Sequence, residues 1–460
     1  MSFNSLALSR PEQALRYYDP AADTAAISGL APLAEYGFPL RKWPMILTPS
    51  TVSERAAERA QAGFDAIIAA TRWVVEDYYR RDWLALAGAI GMPAHQVQLL
   101  AGIDYPDHWW RIGRPDVVFV GDQPKFLELN LISSIGGLAI SDLLVRCLRA
   151  WPAGQAWLAE HPLRLPDTMA ALTREVAAAS VDPAELTVVA RWGRYETDNM
   201  PPHFYRGLTG ELTRCGLPTV LADIDQIDWD GPFPTLDGRR IGCLYRFFDE
   251  NATTSPAKRR LFEQLLGHVR GGTVGLYGDF VGDAVLTKAM LARLSQWLAE
   301  DAEQLRGLAG PVRAELAAAL PWSRVVAAGA GTDPTGEQVD LAGYLRGHRA
   351  ELVLKPAGDY GGAGVLVGRT VSDQQWHSAV DRALAADPPW VVQELLMAPA
   401  LQAVRVWQGR LVCRPYRTVI GLFFLAGQLT GGICRAAPYR RFVVNPTLGA
   451  AQGVFGVRAG

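Results

Sequence analysis

Glu351-Leu-Val-Leu-Lys-Pro-Ala-Gly-Asp-Tyr-Gly-Gly-Ala-Gly-Val-Leu-Val-Gly368 is the stretch on which the reading of the fold turns. Leu352-Val-Leu354 is a short apolar run that predicts a buried strand, and Lys355 at its end carries an ammonium off the strand into a site. Pro356 lacks a ladder donor and stops further pairing there. Gly358, Gly361, Gly362 and Gly364 follow in a loop whose backbone N–H groups can approach phosphate oxygens, since glycine has no Cβ to obstruct and tolerates positive φ. β-like residues come next, with no Gly-Lys-Ser/Thr, so a P-loop with a helix-dipole phosphate site is disfavoured. Taken alone, a glycine-rich hairpin reads the same residues equally well. Lys355 before the loop, and Pro389-Trp-Val-Val-Gln-Glu-Leu-Leu396 after it, shift the reading towards nucleotide binding. That second strand ends in Gln393 and Glu394, a polar pair suited to the edge of an adenine ring.

Working outward, residues 114–132 read as a hairpin. Val117-Val-Phe-Val120 and Lys125-Phe-Leu-Glu-Leu-Asn130 are the strands, with a turn at Gly121-Asp-Gln-Pro124. Period-two alternation puts Glu128 and Asn130 on one face, a carboxylate and a carboxamide that are hard oxygen ligands for magnesium. Asp116 is the natural third ligand, on one condition. An odd-length turn, for example three residues with a bulge at Gly121, sets Asp116 across from Glu128, whereas a four-residue turn points it away. A solvated edge hairpin with two ordinary acids is the alternative, and Arg114 is a charge such an edge does not need.

The rest of the chain supplies the frame. A helical pattern begins at Thr51-Val-Ser-Glu54, which has the form of a capping box. More helix is expected over 138–180, broken by Pro152, Pro162 and Pro166. Strands at 186–190, 218–222 and 240–247 with a helix at 203–215 make a unit of mostly parallel α/β type. An alanine-rich helical region spans 286–320. At 460 residues, the chain is long enough for two or three packed units. With 49% hydrophobic and 20% charged residues and a net charge of −2, nothing in the bulk electrostatics favours nucleic acid or an anionic membrane. The 5 cysteines and 7 histidines are scattered without metal-ligand or disulfide spacing, which fits a cytoplasmic location. No signal peptide and no membrane-spanning run are visible. Trp109, Trp110, Trp192 and Tyr195 could line an apolar substrate pocket, although such aromatics more commonly fill cores.

Phe126-Leu-Glu-Leu-Asn130, the Val353-Leu-Lys-Pro356 strand with its glycine loop, Trp390-Val-Val-Gln-Glu394 and Gly431-Gly-Ile-Cys-Arg-Ala436 together resemble the ATP-grasp ligases. In the usual order the glutamate-x-asparagine pair follows the lysine and glycine loop. Here it precedes them, an order similar to the circularly permuted ATP-grasp group that includes the glutathionylspermidine synthetase domain. The resemblance runs in patches from Arg111 to Ala437. It implies a mixed α/β, permuted ATP-grasp fold. Residues 1–180 would carry a helical segment and the metal-ligand part, 181–270 a central pre-ATP-grasp-like unit, and 271–460 the ATP-binding part, with a lid at about 340–400.

The resemblance also implies roles. Asp116, Glu128 and Asn130 would hold magnesium, two ions in all. Lys288 and Lys355 would bind phosphate, Gly361, Gly362 and Gly364 would close over the β- and γ-phosphates, and Gln393 and Glu394 would border adenine. Arg114 and Arg435, the latter in a segment similar to the family's GGLTRVA, would face the reacting carboxylate. Arg246 and Glu196 are further substrate-side candidates, Glu196 also as the base for the amine; for Lys288 and Glu196 taken singly, a solvated charge is the blander reading. Many permuted relatives read Asn-Ala-Asp-Thr-Pro where this chain has Asn130-Leu-Ile-Ser-Ser-Ile-Gly136. Ser133 and Ser134 thus replace an aspartate on the substrate side, which puts polyamine specificity in doubt. The implied activity is an ATP-dependent carboxylate–amine ligase working through an acyl phosphate on amino-acid, peptide or polyamine substrates. A phosphotransferase and a non-catalytic nucleotide-binding protein of the same fold stay open beside it.

Overall fold

The computed structural model describes residues 30–39, 45–103, 109–192, 201–248, 255–358, 362–397, 400–407 and 410–458. Its largest sheet is organised around the acidic hairpin. Ile112–Val120 and Gln123–Asn130 pair through a turn of two residues, Gly121 and Asp122. This corrects the expected turn at 121–124. A two-residue turn in regular register would put Asp116 across from Leu127. Instead, the register shifts between Asp116 and Val117, so that Val117 pairs with Phe126, Asp116 pairs with Glu128, and Leu127 bulges out. The odd-length turn that was the condition is absent; a bulge at Leu127, not at Gly121, sets Asp116 opposite Glu128 instead.

Outward from this hairpin the strands run Arg410–Leu425, Gln428–Pro438, Ala451–Arg458, Met45–Val52 and Leu401–Trp407. Leu401–Trp407 also pairs with the first half of Arg410–Leu425, closing these five strands into a circuit. Only Met45–Val52 and Ala451–Arg458 run parallel to each other. Thr51 therefore ends a strand, and the helix Glu54–Arg72 is capped by Ser53, whose hydroxyl accepts from the Ala56 N–H. The expected capping box at Thr51–Glu54 does not form: the cap is Ser53, and Ala56 at the third helical position has no polar side chain to return the bond. The Ser53 hydroxyl also donates to Asp122 at 2.7 Å, tying the helix start to the hairpin turn. Along the helix, Phe64 stacks on Phe424 with ring centres 3.9 Å apart, which fixes this face of the sheet in the main core.

A second sheet carries the sequence quoted first. Ser323–Val325, Trp390–Glu394, Leu352–Pro356 and Leu366–Val367 lie side by side, all antiparallel. Helices Leu341–Gly347 and Asp373–Leu384 cover one face, with Trp376 fully buried between them and the strands. The third sheet is the predicted α/β unit. Thr219–Asp223, Leu186–Arg191, Arg239–Arg246 and Gly275–Tyr277 are parallel neighbours, with Thr235–Leu236 added antiparallel. Helices Pro202–Arg214 and Pro256–Arg270 are its connections. Trp109 and Trp192 are buried core residues and Trp110 packs against Gly427, so these aromatics serve packing, while Tyr195 lies outside the described residues. Among the described residues, no helix is long and apolar enough to cross a membrane.

Candidate functional site

Lys355 points across the interface between the first two sheets. Its ammonium donates to Gln393 Oε1 at 2.6 Å and lies 3.4 Å from the Leu127 carbonyl. Gln393 Nε2 in turn reaches Ser323 Oγ at 3.1 Å and the same Leu127 carbonyl at 3.4 Å. The bulge in the hairpin thus has a purpose beyond register. It presents one backbone carbonyl to the lysine and the glutamine of the neighbouring sheet. Burial pushes the Lys355 ammonium down to about 8, with the charge of Lys288 adding to the effect and Glu128 and Asp116 opposing it.

Glu128 occupies the centre of the site. Lys288, at the start of the helix Lys288–Ala299, places its ammonium 3.7 Å from Glu128 Oε2, so it is not the solvated helix charge of the blander reading. Burial alone would raise this carboxyl, but Lys288, Lys355, Arg114 and Arg435 outweigh it and hold the group at about 2. Asp116 moves the other way. Burial, supported by the charge of Glu128, lifts it above the usual carboxylate range despite Arg435 and Arg114. Its carboxylate accepts from Arg435 at 2.6 Å and lies 3.4 Å from Arg114 Nε. The backbone register brings Asp116 opposite Glu128 as a ligand trio requires, yet its carboxylate is turned into the arginine pair. Arg114 also donates to the Gly136 carbonyl at 2.9 Å, and the Asn130 amide donates to the Arg114 carbonyl at 3.2 Å. Burial, then Arg435, drive the Arg114 guanidinium down to about 10.

Two cavities meet at Glu128. The smaller, of about 130 Å³, is bounded by Lys355, Gln393, Glu394 and the apolar Val353, Val367 and Met397. The larger, of about 400 Å³, is bounded by Glu128, Asn130, Lys288, Gly358 and the Gly91–Gln96 segment. Gly362 borders the smaller cavity with φ of +78°, and Gly364 has φ of +67°, the backbone conformation for which glycine suits this loop. Glu394 accepts from the Trp322 N–H at 2.8 Å, which fixes it at the cavity edge. Gly361 and Glu196 lie outside the described residues.

The remaining substrate-side candidates are placed differently. Arg246, 1% exposed, donates to the carbonyls of Gly278, Phe248 and Asp279 and to Asp283 at 2.9 Å. It stacks on Phe280 and acts as a structural tie. Ser133 is buried against Gly278, and its carbonyl accepts from Tyr245. Ser134 is half-buried. Sequence reading missed Arg417, Phe442 and Asn445, which wall the smaller cavity, and Met92, His95 and Asp283, which wall the larger. No local pattern announces them, because they arrive by tertiary approach from distant segments.

No family model matches the chain, and no curated protein matches it in sequence. Among solved structures, it is similar to a glutathione synthetase-like effector from Globodera pallida in its apoform. The TM-score is 0.61 and the identity 12%, over 96% of this chain and 98% of that one. The two share a fold. A protein from Methylobacillus flagellatus KT, provisionally named a gamma-glutamylcysteine synthetase, matches with a TM-score of 0.40 and 12% identity over 90% of this chain and 89% of that one. At such identities the likeness is one of architecture, a mixed α/β arrangement spanning nearly the whole chain.

Proposed function

We propose that the chain is an ATP-dependent carboxylate–amine ligase of permuted ATP-grasp type, forming an amide bond through an acyl phosphate. The observation that carries this reading is the position of Glu128. It stands between a smaller cavity that Val353, Val367 and Met397 border and a larger one that Asn130 and Lys288 border, with Lys288 and Lys355 beside it and Arg114 and Arg435 behind. The name of the Globodera pallida neighbour, a glutathione synthetase-like effector, supports the same chemistry. In this reading residues 1–180 and 271–460 supply the cleft, and 181–270 the central unit beside it.

The donor set fits magnesium in part. Glu128 stays ionised at any working pH, and Asn130, whose Nδ2 is occupied by the Arg114 carbonyl, has its amide oxygen as the second hard donor. Among the described residues no cluster of three acidic, histidine or cysteine groups suits a metal. Magnesium here would be held by Glu128, Asn130 and phosphate oxygens, the low protein-ligand number usual for this ion, with Asp116 kept for the arginines. When bound, the ion would neutralise charge on the β- and γ-phosphates.

Adenine fits the smaller cavity, between Val353, Val367 and Met397, with Glu394 at its edge. Lys355, oriented by Gln393, and Lys288 attract the phosphates, and the loop through Gly362 and Gly364 closes over them, excluding water that would hydrolyse the intermediate. A carboxylate oxygen of the acid substrate attacks the γ-phosphorus, and the bond to ADP breaks. The amine then attacks the carbonyl carbon, the C–O bond to phosphate breaks, and phosphate leaves with the amine's proton going to solvent. Arg435 and Arg114 stabilise the oxyanion, a role worth about 3 kcal/mol of barrier per donor. A screen of purified protein with ATP against pooled amino acids, dipeptides and amines, read as ADP release, tests this. Hydroxylamine should trap a hydroxamate from an acyl phosphate. ADP release without a hydroxamate means phosphoryl transfer to another group, and no ADP release across the panel rejects the reading.

A further inference from the structure

A third cavity, of about 310 Å³, lies beside the edge strand Gly275–Tyr277 of the α/β unit, away from Glu128 and both lysines. Its floor is apolar, formed by Ile112, Leu266, Val269 and Leu276. At one end Arg111 and Glu175 form a two-point ion pair, Nε to Oε2 at 2.6 Å and NH2 to Oε1 at 2.7 Å. Tyr277 also borders the cavity, and its hydroxyl is near enough to feel both charges of the pair. Tyr277 is 5% exposed and its hydroxyl has no hydrogen-bond partner among the described residues. Burial first, then Tyr245 and the charge of Glu175, keep the phenol protonated, a donor with no acceptor among the described residues. Arg270, which donates to the Gly102 carbonyl, and Asp279, which accepts from the Val281 N–H at 2.8 Å, complete the charged lining. The charges balance, two of each sign, around an apolar chamber of the size and character of small-molecule sites.

We propose that this cavity binds a free α-amino acid with an apolar side chain, at a site separate from the ligase cleft. The chemistry follows from the lining. An arginine–glutamate pair bonded along one edge keeps further N–H donors and carboxylate lone pairs to offer, so it can take a carboxylate and an ammonium together. The apolar floor takes the side chain. A plain fatty acid or a plain amine would satisfy only one sign of that lining. The site also has a mechanical link to the cleft. Gly278 and Asp279, which follow Tyr277, hold Arg246 through their carbonyls, and Arg246 holds Asp283 in the wall of the 400 Å³ cavity.

The test is calorimetric titration of the full chain with L-leucine, leucinamide and 4-methylpentanoate. Leucine is expected to bind at least tenfold more tightly than leucinamide, which lacks the carboxylate, or 4-methylpentanoate, which lacks the ammonium. Arg111→Met keeps an apolar stem and removes the donors, and should weaken leucine about tenfold. Ala178→Trp introduces a bulky ring at an exposed helix position on the cavity mouth and should abolish binding without affecting folding. Lys355→Ala, in the nucleotide cleft, should leave leucine affinity unchanged, so the result is independent of the ligase reading. No heat of binding at 10 mM leucine overturns the proposal. So does equal affinity for the three probes, or leucine binding that survives Ala178→Trp or is lost in Lys355→Ala.

Discussion

Arginine is buried at several places in this molecule, and two of them hold it in opposite ways. In the central α/β unit, Arg246 donates to three carbonyls and to Asp283, itself 5% exposed, and stacks on Phe280. At the acidic hairpin, Arg114 and Arg435 are almost as buried but incompletely bonded. The Arg435 Nε–H has no acceptor among the described residues, and Arg114 Nε lies 3.4 Å from Asp116 without the alignment of a hydrogen bond. Burying charge costs free energy unless partners restore it. A saturated arginine contributes to the fold; in the proposed ligase the unused donors of Arg114 and Arg435 are the ones an oxyanion would take. The contrast gives two arginines of similar burial different expected responses to mutation.

The largest effects should fall where the cleft depends on charge. Glu128→Ala and Lys355→Ala are each expected to lower ADP release by about a thousandfold or more, with melting temperatures within a few degrees of the parent. Turnover near the parental rate in either variant would break the assignment of the cleft. Arg246→Met should do the reverse and fail in stability. It removes the cation beside buried Asp283 and leaves three carbonyls short of a donor, a loss of about 3–5 kcal/mol in chemical denaturation. A smaller change in stability, accompanied by a lost kcat, would make Arg246 functional after all. Arg435→Met should lower kcat about a hundredfold at little cost in KM, while destabilising less than Arg246→Met, because Arg114 remains beside Asp116.

The smallest effect is one of pH, and its sign is specific. Lys355 titrates at about 8 in the folded protein, below its ordinary 10.5. As pH rises through 8 the lysine loses its charge, and ATP affinity should fall by up to about tenfold per pH unit, with proton uptake on binding. Folding stability moves the other way. The cost of holding this ammonium buried is fully present below about 8 and is relieved between there and the unfolded lysine's ordinary value, so this group's contribution improves with pH. Affinity that is flat from pH 7 to 9.5 would remove Lys355 from phosphate binding.

Much of the frame was legible in the chain because it is written locally. Alternation at Val117–Val120 and Phe126–Asn130, the apolar runs at Leu352–Leu354 and Leu186–Ala190, and the prolines after Ala150 all mark elements that form where they were expected. Two features were not local. The Leu127 bulge follows from a two-residue turn that must still place Asp116 opposite Glu128, and a single strand's pattern does not reveal a shift in its partner's register. The walls at Met92–Gln96 and Phe442–Asn445 depend on which distant segments the closed strand circuit brings near Glu128. Glu128, Asn130, Lys288 and Lys355 were readable as residue types suited to phosphate and magnesium. That the Asp116 carboxylate pairs with Arg435 could be seen only from their 2.6 Å contact.

The central claim, that a carboxylate is activated as its acyl phosphate in this cleft, is tested most directly with an acid substrate from the ADP-release screen labelled with ¹⁸O in its carboxylate. Phosphorus NMR of the released phosphate should find one ¹⁸O atom transferred per turnover, since the carboxylate oxygen that attacks phosphorus leaves with it. Phosphate carrying no label while the amide product forms would contradict the account.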